Sequence, residues 1–183
     1  MSLHEDAVHV LESWQAPDHA QDALRRDYLA HLAAHPNGVW RGCVPGHLTA
    51  SAAVLDPGGG HVLLTLHRKE RRWLQLGEHC EDGDTTLTTV AFREATEESG
   101  IAGLELLPVP VRLDRHDVAC QPGGSRHLDV QYAGVAPAGA RPELSSESLD
   151  LRWFPVDALP DNTDESVRAL VAHSAGLVAS LHR

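Results

Sequence analysis

Three glutamates near the middle of the chain constrain the fold more than any other feature. The segment AFREATEESGI places Glu94, Glu97 and Glu98 at positions i, i+3 and i+4. At about 100° per residue, a helix brings these carboxylates onto one face, where like charges repel one another. The same stripe carries four apolar residues: Leu87, Val90, Ala91 and Ile101. The pattern predicts a helix over about 85–99, capped by Asp84, whose acidic side chains face the protein.

Inward-facing carboxylates need a compensating charge, because burying an unpaired anion is costly and raises its pKa. Mg²⁺ and Mn²⁺ prefer oxygen ligands, and Mg²⁺ commonly combines one or two carboxylates with phosphate oxygens of a substrate. Arg93 adjoins Glu94 and can orient a neighbouring carboxylate. A run of glutamates is often simply a solvated helix face. The shared apolar stripe favours a divalent-metal site over that alternative.

The segment REATEESGI resembles the end of the Nudix signature, R-E-U-x-E-E-x-G-U, where U is apolar. Arg93, Glu94, Glu97, Glu98 and Gly100 occupy its specific positions. The resemblance implies an α/β (α+β) fold of the Nudix type, an α/β/α sandwich with a mixed sheet. It also implies a hydrolase that uses Mg²⁺ or Mn²⁺ to cleave a nucleoside diphosphate derivative or a related pyrophosphate.

The loop before the helix, LGEHCEDGD, departs from the signature, which begins G-x5-E-x7-R. Aligned by chemistry, Glu78 replaces the first glycine, Asp84 replaces the first glutamate, and one extra residue precedes Arg93. Glycine permits close backbone approach, so Glu78 is expected to crowd the loop or to add a fourth carboxylate. An alternative function follows: a catalytically weakened nucleotide-binding sensor or interaction domain on the same fold.

The resemblance also implies roles for individual side chains. Glu94 and Glu98 are expected to be the principal metal ligands, with Glu97 assisting and Glu78 as a further ligand. The proton of the attacking water passes to Glu98, to another signature glutamate, or to Glu147. Family members often use such a glutamate from a loop outside the signature, and Glu143 competes with Glu147 for this role.

Substrate-binding candidates lie outside the signature. Arg68 and Arg72 form either a solvated hairpin tip or a contact with an anionic substrate. Trp73 belongs to the core or stacks on a base, and His127 is a candidate on a later strand. Four histidines lie near strand ends or the signature loop: His67, His79, His116 and His127. No two of these four have the helical i, i+4 spacing, so ordinary surface histidine is favoured over a transition-metal cluster.

The remaining chain predicts an N-terminal helical extension over 1–45, with helices at 5–14 and 18–34, and a Nudix domain over 46–183. The extension is expected to cover the pocket or to form a homodimer contact. Strands are expected at 48–55, 61–67, 73–76, 104–113, 127–136 and 151–156, and a last helix from about Asp164. This order favours a mixed sheet with helices packed against it.

Composition limits the classes of molecule to which the protein is expected to bind. The formal net charge of −11 argues against binding to nucleic-acid polymers, but allows a small nucleotide or pyrophosphate if a cation mediates. The three cysteines are far apart and suggest neither a disulfide framework nor a thiolate zinc site. The first residues do not resemble a signal peptide, and no run of 18 apolar residues is present. We expect a cytoplasmic protein that does not insert into membranes.

Overall fold

A computed structural model describes residues 1–118, 124–146 and 148–181 of the chain. The helices in these segments are α1 (Leu3–Ser13), α2 (His19–Ala34), α3 (Leu87–Ser99) and α4 (Glu165–Leu181). The strands are β1 (His47–Leu55), β2 (His61–His67), β3 (Trp73–Leu74), β4 (Leu76–His79), β5 (Glu105–Leu106), β6 (Arg112–Val118), β7 (Ser125–Val135) and β8 (Ser148–Pro155). None of the described helices is long and apolar enough to cross a membrane.

Strand β1 lies at the centre of the sheet. It pairs in parallel with β7 along its whole length, from His47 opposite His127 to Leu55 opposite Val135. Its other edge pairs antiparallel with β4 and, at the carboxyl end, with β2. Strand β2 also pairs with β3 and with β8, and strand β7 also pairs with β5 and with β6. All four of these pairs are antiparallel. The sheet is therefore mixed, as predicted.

Alternate residues of β1 face opposite layers of helices, as the period of a strand requires. Leu48 and Ala50 belong to a core that includes apolar residues of α1, α2 and α3. Ala53 and Leu55 belong to a second core, with Leu170 and its neighbours in α4. Helices thus cover both faces of the sheet, which confirms the predicted α/β/α architecture.

The N-terminal helices are built into this core. Gln21 in α2 is buried, and its side chain both donates to the Leu113 carbonyl (3.0 Å) and accepts from the Leu113 N–H (2.7 Å). Asp6 in α1 accepts a hydrogen bond from the Leu87 N–H at the start of α3 (2.8 Å). Helix α1 therefore helps to position α3, and α2 is anchored to β6. The domain division at residue 45 and the dimer contact stay predictions.

One predicted strand is interrupted. Instead of a continuous strand over 104–113, the chain forms the short β5 and then β6. Pro108 and Pro110 lie between them, and proline has no N–H to donate to a sheet ladder. The sequence-based expectation of one strand was wrong at this point.

The Gln21 contact predicts a stability effect. Gln21→Ala leaves a buried N–H and a buried carbonyl of Leu113 without their partners, so unfolding should become easier by about 2–4 kcal/mol. Chemical denaturation followed by circular dichroism measures this. Gln15→Ala, at an exposed position between α1 and α2, should change stability by less than about 0.5 kcal/mol. Equal effects of the two changes would contradict the assigned role of Gln21.

Candidate active site

Helix α3 begins later than the sequence suggested. Its N-cap is Thr86, whose side chain accepts a hydrogen bond from the Thr89 N–H (3.1 Å), and Gly100 ends it in a left-handed conformation (φ 66°). Asp84 instead accepts hydrogen bonds from the Glu81 N–H (2.8 Å) and from Arg93 (3.0 Å). The prediction that Asp84 caps the helix was wrong, because its carboxylate is hydrogen-bonded to Glu81 and Arg93, and Thr86, which also has a capping side chain, takes that position.

The close backbone approach occurs at Gly77 in strand β4, one residue before the position that the alignment assigned to glycine. Gly77 has φ 149°, and a Cβ there would lie 2.4 Å from the Ser51 Cα. Its N–H donates to Glu98 Oε1 (3.0 Å). Glu78 lies in strand β4, opposite Ala50. Crowding by Glu78 is therefore not observed, and the doublet Gly77–Glu78 was the sequence signal for this arrangement.

Arg93 lies at the centre of the acidic cluster. Its guanidinium donates to Glu94 (2.5 Å), Asp84 (3.0 Å) and, at a longer distance, Glu97 (3.5 Å). It also donates to the backbone carbonyl of His79 (3.3 Å). Partial burial opposes its charge, but hydrogen bonds and charge pairing with Asp84 and Glu94 raise its pKa further above the ordinary value. Arg93 thus connects the loop to the helix.

The three signature glutamates differ in environment. Glu94 is buried, at 7% exposed, and burial raises its pKa to about 7 although Arg93 opposes the shift. Glu98 is half-buried, and its carboxylate accepts a hydrogen bond from the Gly77 N–H. Glu97 is exposed, so the expectation that all three face the protein was wrong for this residue. Glu97 lies at the edge of the stripe, where a small rotation of the helix decides burial.

These carboxylates form a donor set that suits a hard cation. Glu94 is an acid whose ionisation burial disfavours, and Glu78 lies close enough to raise its pKa further. A divalent cation would relieve both effects, and all the donors are oxygen. Within the described residues, however, the three signature glutamates do not bring a ligand atom each to within 4.8 Å of one another. Arg93 contacts both Glu94 and Glu97.

The other predicted residues lie outside this cluster. Arg68 donates to the carbonyls of Ser146 (3.2 Å) and Ser148 (3.4 Å), and Arg72 is exposed. Trp73 is buried and packs edge-to-face on Phe154, with ring centroids 4.7 Å apart. The tryptophan ring is therefore a core residue and is not available to stack on a base.

The structure describes only one of the two candidate glutamates of the last loop. Glu147 lies outside the described residues. Glu143 is exposed, and its N–H donates to the Ser99 carbonyl (2.7 Å) at the carboxyl end of α3. Its backbone therefore helps to end the helix.

A histidine cluster beside the loop was not predicted in this form. One ring nitrogen from each of His47, His79 and His127 lies within 4.8 Å of the others. Burial, and then the neighbouring histidines, lower the pKa of His47 to about 4 and that of His127 to about 3, so both rings are neutral at pH 7. His79 and His127 were candidates from the sequence. His47 was missed, because only the pairing of β1 with β7 brings it to them.

Comparisons with known proteins agree with this geometry. The NUDIX domain family model matches residues 45–173, so the chain belongs to the NUDIX family, as predicted. A hydrolase of the NUDIX family from Clostridium perfringens is 24% identical, with a TM-score of 0.58 over 72% of this chain and 97% of its own. The E. coli dihydroneopterin triphosphate pyrophosphohydrolase is 19% identical (TM-score 0.61; 74% and 99% covered).

A C. elegans Ap4A hydrolase has the same fold at 15% identity (TM-score 0.57; 73% and 98% covered). None of the curated proteins compared with the chain matches it. Family membership and the shared fold support a pyrophosphohydrolase.

Gly77→Ala tests the close approach of β4 to β1. The added methyl group would overlap Ser51 and the backbone would be strained at φ 149°, so we expect a loss of more than about 3 kcal/mol in unfolding free energy. Gly42→Ala is the matched control, since a Cβ there meets nothing within 4 Å. Denaturant titration of both variants measures the difference. Similar midpoints for the two would show that Gly77 is not constrained.

The buried carboxylate of Glu94 predicts a pH-dependent stability. Because its pKa rises from 4.5 to about 7 on folding, the folded state binds this proton more tightly than the unfolded state. Ionised Glu94 therefore costs stability, increasingly so as the pH rises from about 4.5 to 7. Without divalent metal, Glu94→Gln should stabilise the protein by about 2 kcal/mol at pH 8 and by less than about 1 kcal/mol at pH 5.

Thermal or urea unfolding in buffer with a chelator measures this effect. Glu105→Gln, at an exposed position in β5, is the control and should show no such pH dependence. An equal effect of Glu94→Gln at both pH values would contradict the raised pKa of this side chain.

Proposed function

We propose that the protein is a divalent-metal-dependent hydrolase of a nucleoside diphosphate derivative or a related pyrophosphate. The observation that carries this proposal is the arrangement of α3 against the signature loop. Glu98 is held at the Gly77 N–H, and the buried Glu94 is held by Arg93. Both contacts hold acidic side chains of the segment that resembles the family signature.

Glu94 and Glu98 would hold Mg²⁺ or Mn²⁺, with Glu97 and Glu78 as further oxygen ligands. Such an ion, when bound, neutralises phosphate charge and makes water a stronger nucleophile. The set fits because Glu94 is a buried acid that needs a positive charge to ionise fully at neutral pH.

The chain's own residues supply position and proton transfer. A water oxygen would attack phosphorus, and the bond from that phosphorus to the bridging oxygen of the pyrophosphate would break. Glu98 is our candidate to accept the proton of the water, because its Oε1 is fixed by the backbone N–H of Gly77 in β4. Arg93 keeps Glu94 oriented through its two-sided contact with Asp84 and Glu94. Glu147 remains a second candidate for the base.

The substrate would be a small molecule. Two structural neighbours are named as a dihydroneopterin triphosphate pyrophosphohydrolase and an Ap4A hydrolase, which supports a phosphate anhydride as the substrate class here. The proposed substrate contacts are Arg68, Arg72 and His127. We also propose that the protein is located in the cytoplasm. Arg68 and Arg72 are cations in an acidic chain, so they would attract an anionic substrate.

Turnover with a substrate panel tests the proposal. Metal-free protein is incubated with Mg²⁺ or Mn²⁺ and with dinucleotides, nucleotide sugars and nucleoside triphosphates, and released phosphate products are quantified. Glu98→Gln should lower kcat by at least about 100-fold, because it removes the proton acceptor. Glu105→Gln, exposed on β5, should leave kcat unchanged.

The same panel separates the enzyme from the alternative, a nucleotide-binding sensor. The sensor predicts that a nucleotide raises the melting temperature while no compound is turned over. Turnover that Glu98→Gln leaves intact would contradict the assigned role of Glu98.

A further inference from the structure

We propose that His47, His79 and His127 form a second metal site, for a divalent transition-metal ion of the Zn²⁺ type. The site differs from the carboxylate cluster in its donor atoms. Imidazole nitrogen suits Zn²⁺ and related ions, whereas Mg²⁺ and Mn²⁺ prefer oxygen. Two ions of different chemistry would then bind at neighbouring positions of one chain.

The sheet places the three rings on one face. His47 opens β1 and lies directly opposite His127 of β7 in the parallel register. His79 ends β4 opposite Thr49, two residues along β1 from His47. Residues that are opposite one another or two apart on a strand point to the same side of a sheet. The convergence therefore follows from strand pairing and does not depend on a loop.

The distances fit a tetrahedral site. His79 Nε2 and His127 Nε2 are 3.0 Å apart. Two nitrogens bound to Zn²⁺ at the usual length are separated by about 3.3 Å in tetrahedral geometry. All three candidate nitrogens lie within 4.8 Å of one another, so a modest rotation of the rings brings each within bonding distance of a common ion. Three protein ligands would leave one position open.

Polar groups of the kind that orient metal-binding histidines lie beside two rings of the cluster. His79 Nδ1 is buried, has no hydrogen-bond partner among the described residues and lies 3.4 Å from Glu78 Oε1, so a small rotation of the ring would let it donate to this carboxylate. His47 Nδ1 lies 3.5 Å from the Ser125 hydroxyl. In metal sites a carboxylate, carbonyl or hydroxyl commonly holds the outer nitrogen in this way, which directs the other nitrogen to the ion. Glu78 would therefore be a positioning residue of the site.

Burial makes the site selective and still accessible. His47 is completely buried and His79 is 8% exposed, which excludes most competing water. His127 is half-buried, and His116 packs against its ring with centroids 5.3 Å apart. The ion would enter from the side of His127.

The proposed histidine site also assigns a role to Glu78. Its carboxylate lies 3.4 Å from His79 Nδ1, and its charge also acts on Glu94 of the carboxylate cluster. It therefore lies between the histidine cluster and the carboxylate cluster. A carboxylate at this position can accept a hydrogen bond from His79 Nδ1.

Zinc binding to the full-length, metal-free protein tests the proposal. Titration against a chromogenic chelator should show one tight Zn²⁺ per chain, and Co²⁺ should give the visible absorption of a four-coordinate site. His127→Gln should weaken binding by more than about 100-fold, and Glu78→Gln by about 10–100-fold. His9→Gln, exposed on α1, and Glu98→Gln should both keep wild-type affinity.

X-ray absorption of the zinc-loaded wild-type protein needs no variant and should show imidazole scattering from about three ligands. Oxygen-only scattering, or unchanged affinity in folded His127→Gln, would overturn the proposal. Loss of zinc binding in Glu98→Gln with retention in His127→Gln would assign the ion to the carboxylate cluster instead.

Discussion

The parallel pairing of β1 with β7 is the constraint on which the rest of the structure depends. It runs along the whole of β1, and it joins two strands that are distant in sequence. Because side chains alternate along each strand, this register assigns Leu48 and Ala50 to the layer of α1–α3 and Ala53 and Leu55 to the layer of α4. A slip of one residue would exchange the two cores and move His47 away from His127.

The ionisation of the carboxylates on α3 depends on the way this sheet packs against the helix. The α1–α3 core holds the helix close to the sheet, so that Glu94 is buried and Glu98 reaches the Gly77 N–H. Burial disfavours the charge on Glu94, and Arg93 compensates only in part. A carboxylate in this state has a strong affinity for a cation, which is the physical basis of the proposed hydrolase site. The N-terminal helices contribute, since Asp6 holds the first N–H of α3.

Much of the fold and part of the site were predictable from residue spacing. The helix of the signature, the first two helices and most strands were found, because the hydrophobic period of a segment is local information. Helix ends were less accurate, since Thr86 and Asp84 both have capping side chains. The strand at 104–113 was misjudged because its apolar pattern concealed the effect of two prolines. The mismatch at Glu78 pointed to the correct segment, but the constrained glycine is Gly77 in β4.

The sequence by itself determined the family and the identity of the acidic cluster, because the spacing of Arg93, Glu94 and Glu98 along one helix is fixed by helical geometry. Only the tertiary structure decided which of these carboxylates is buried, because burial depends on the surface against which α3 packs. It also decided that His47, His79 and His127 meet. That contact is set by the pairing of three strands, and the residue spacing within one strand does not say which residues of another strand it will face.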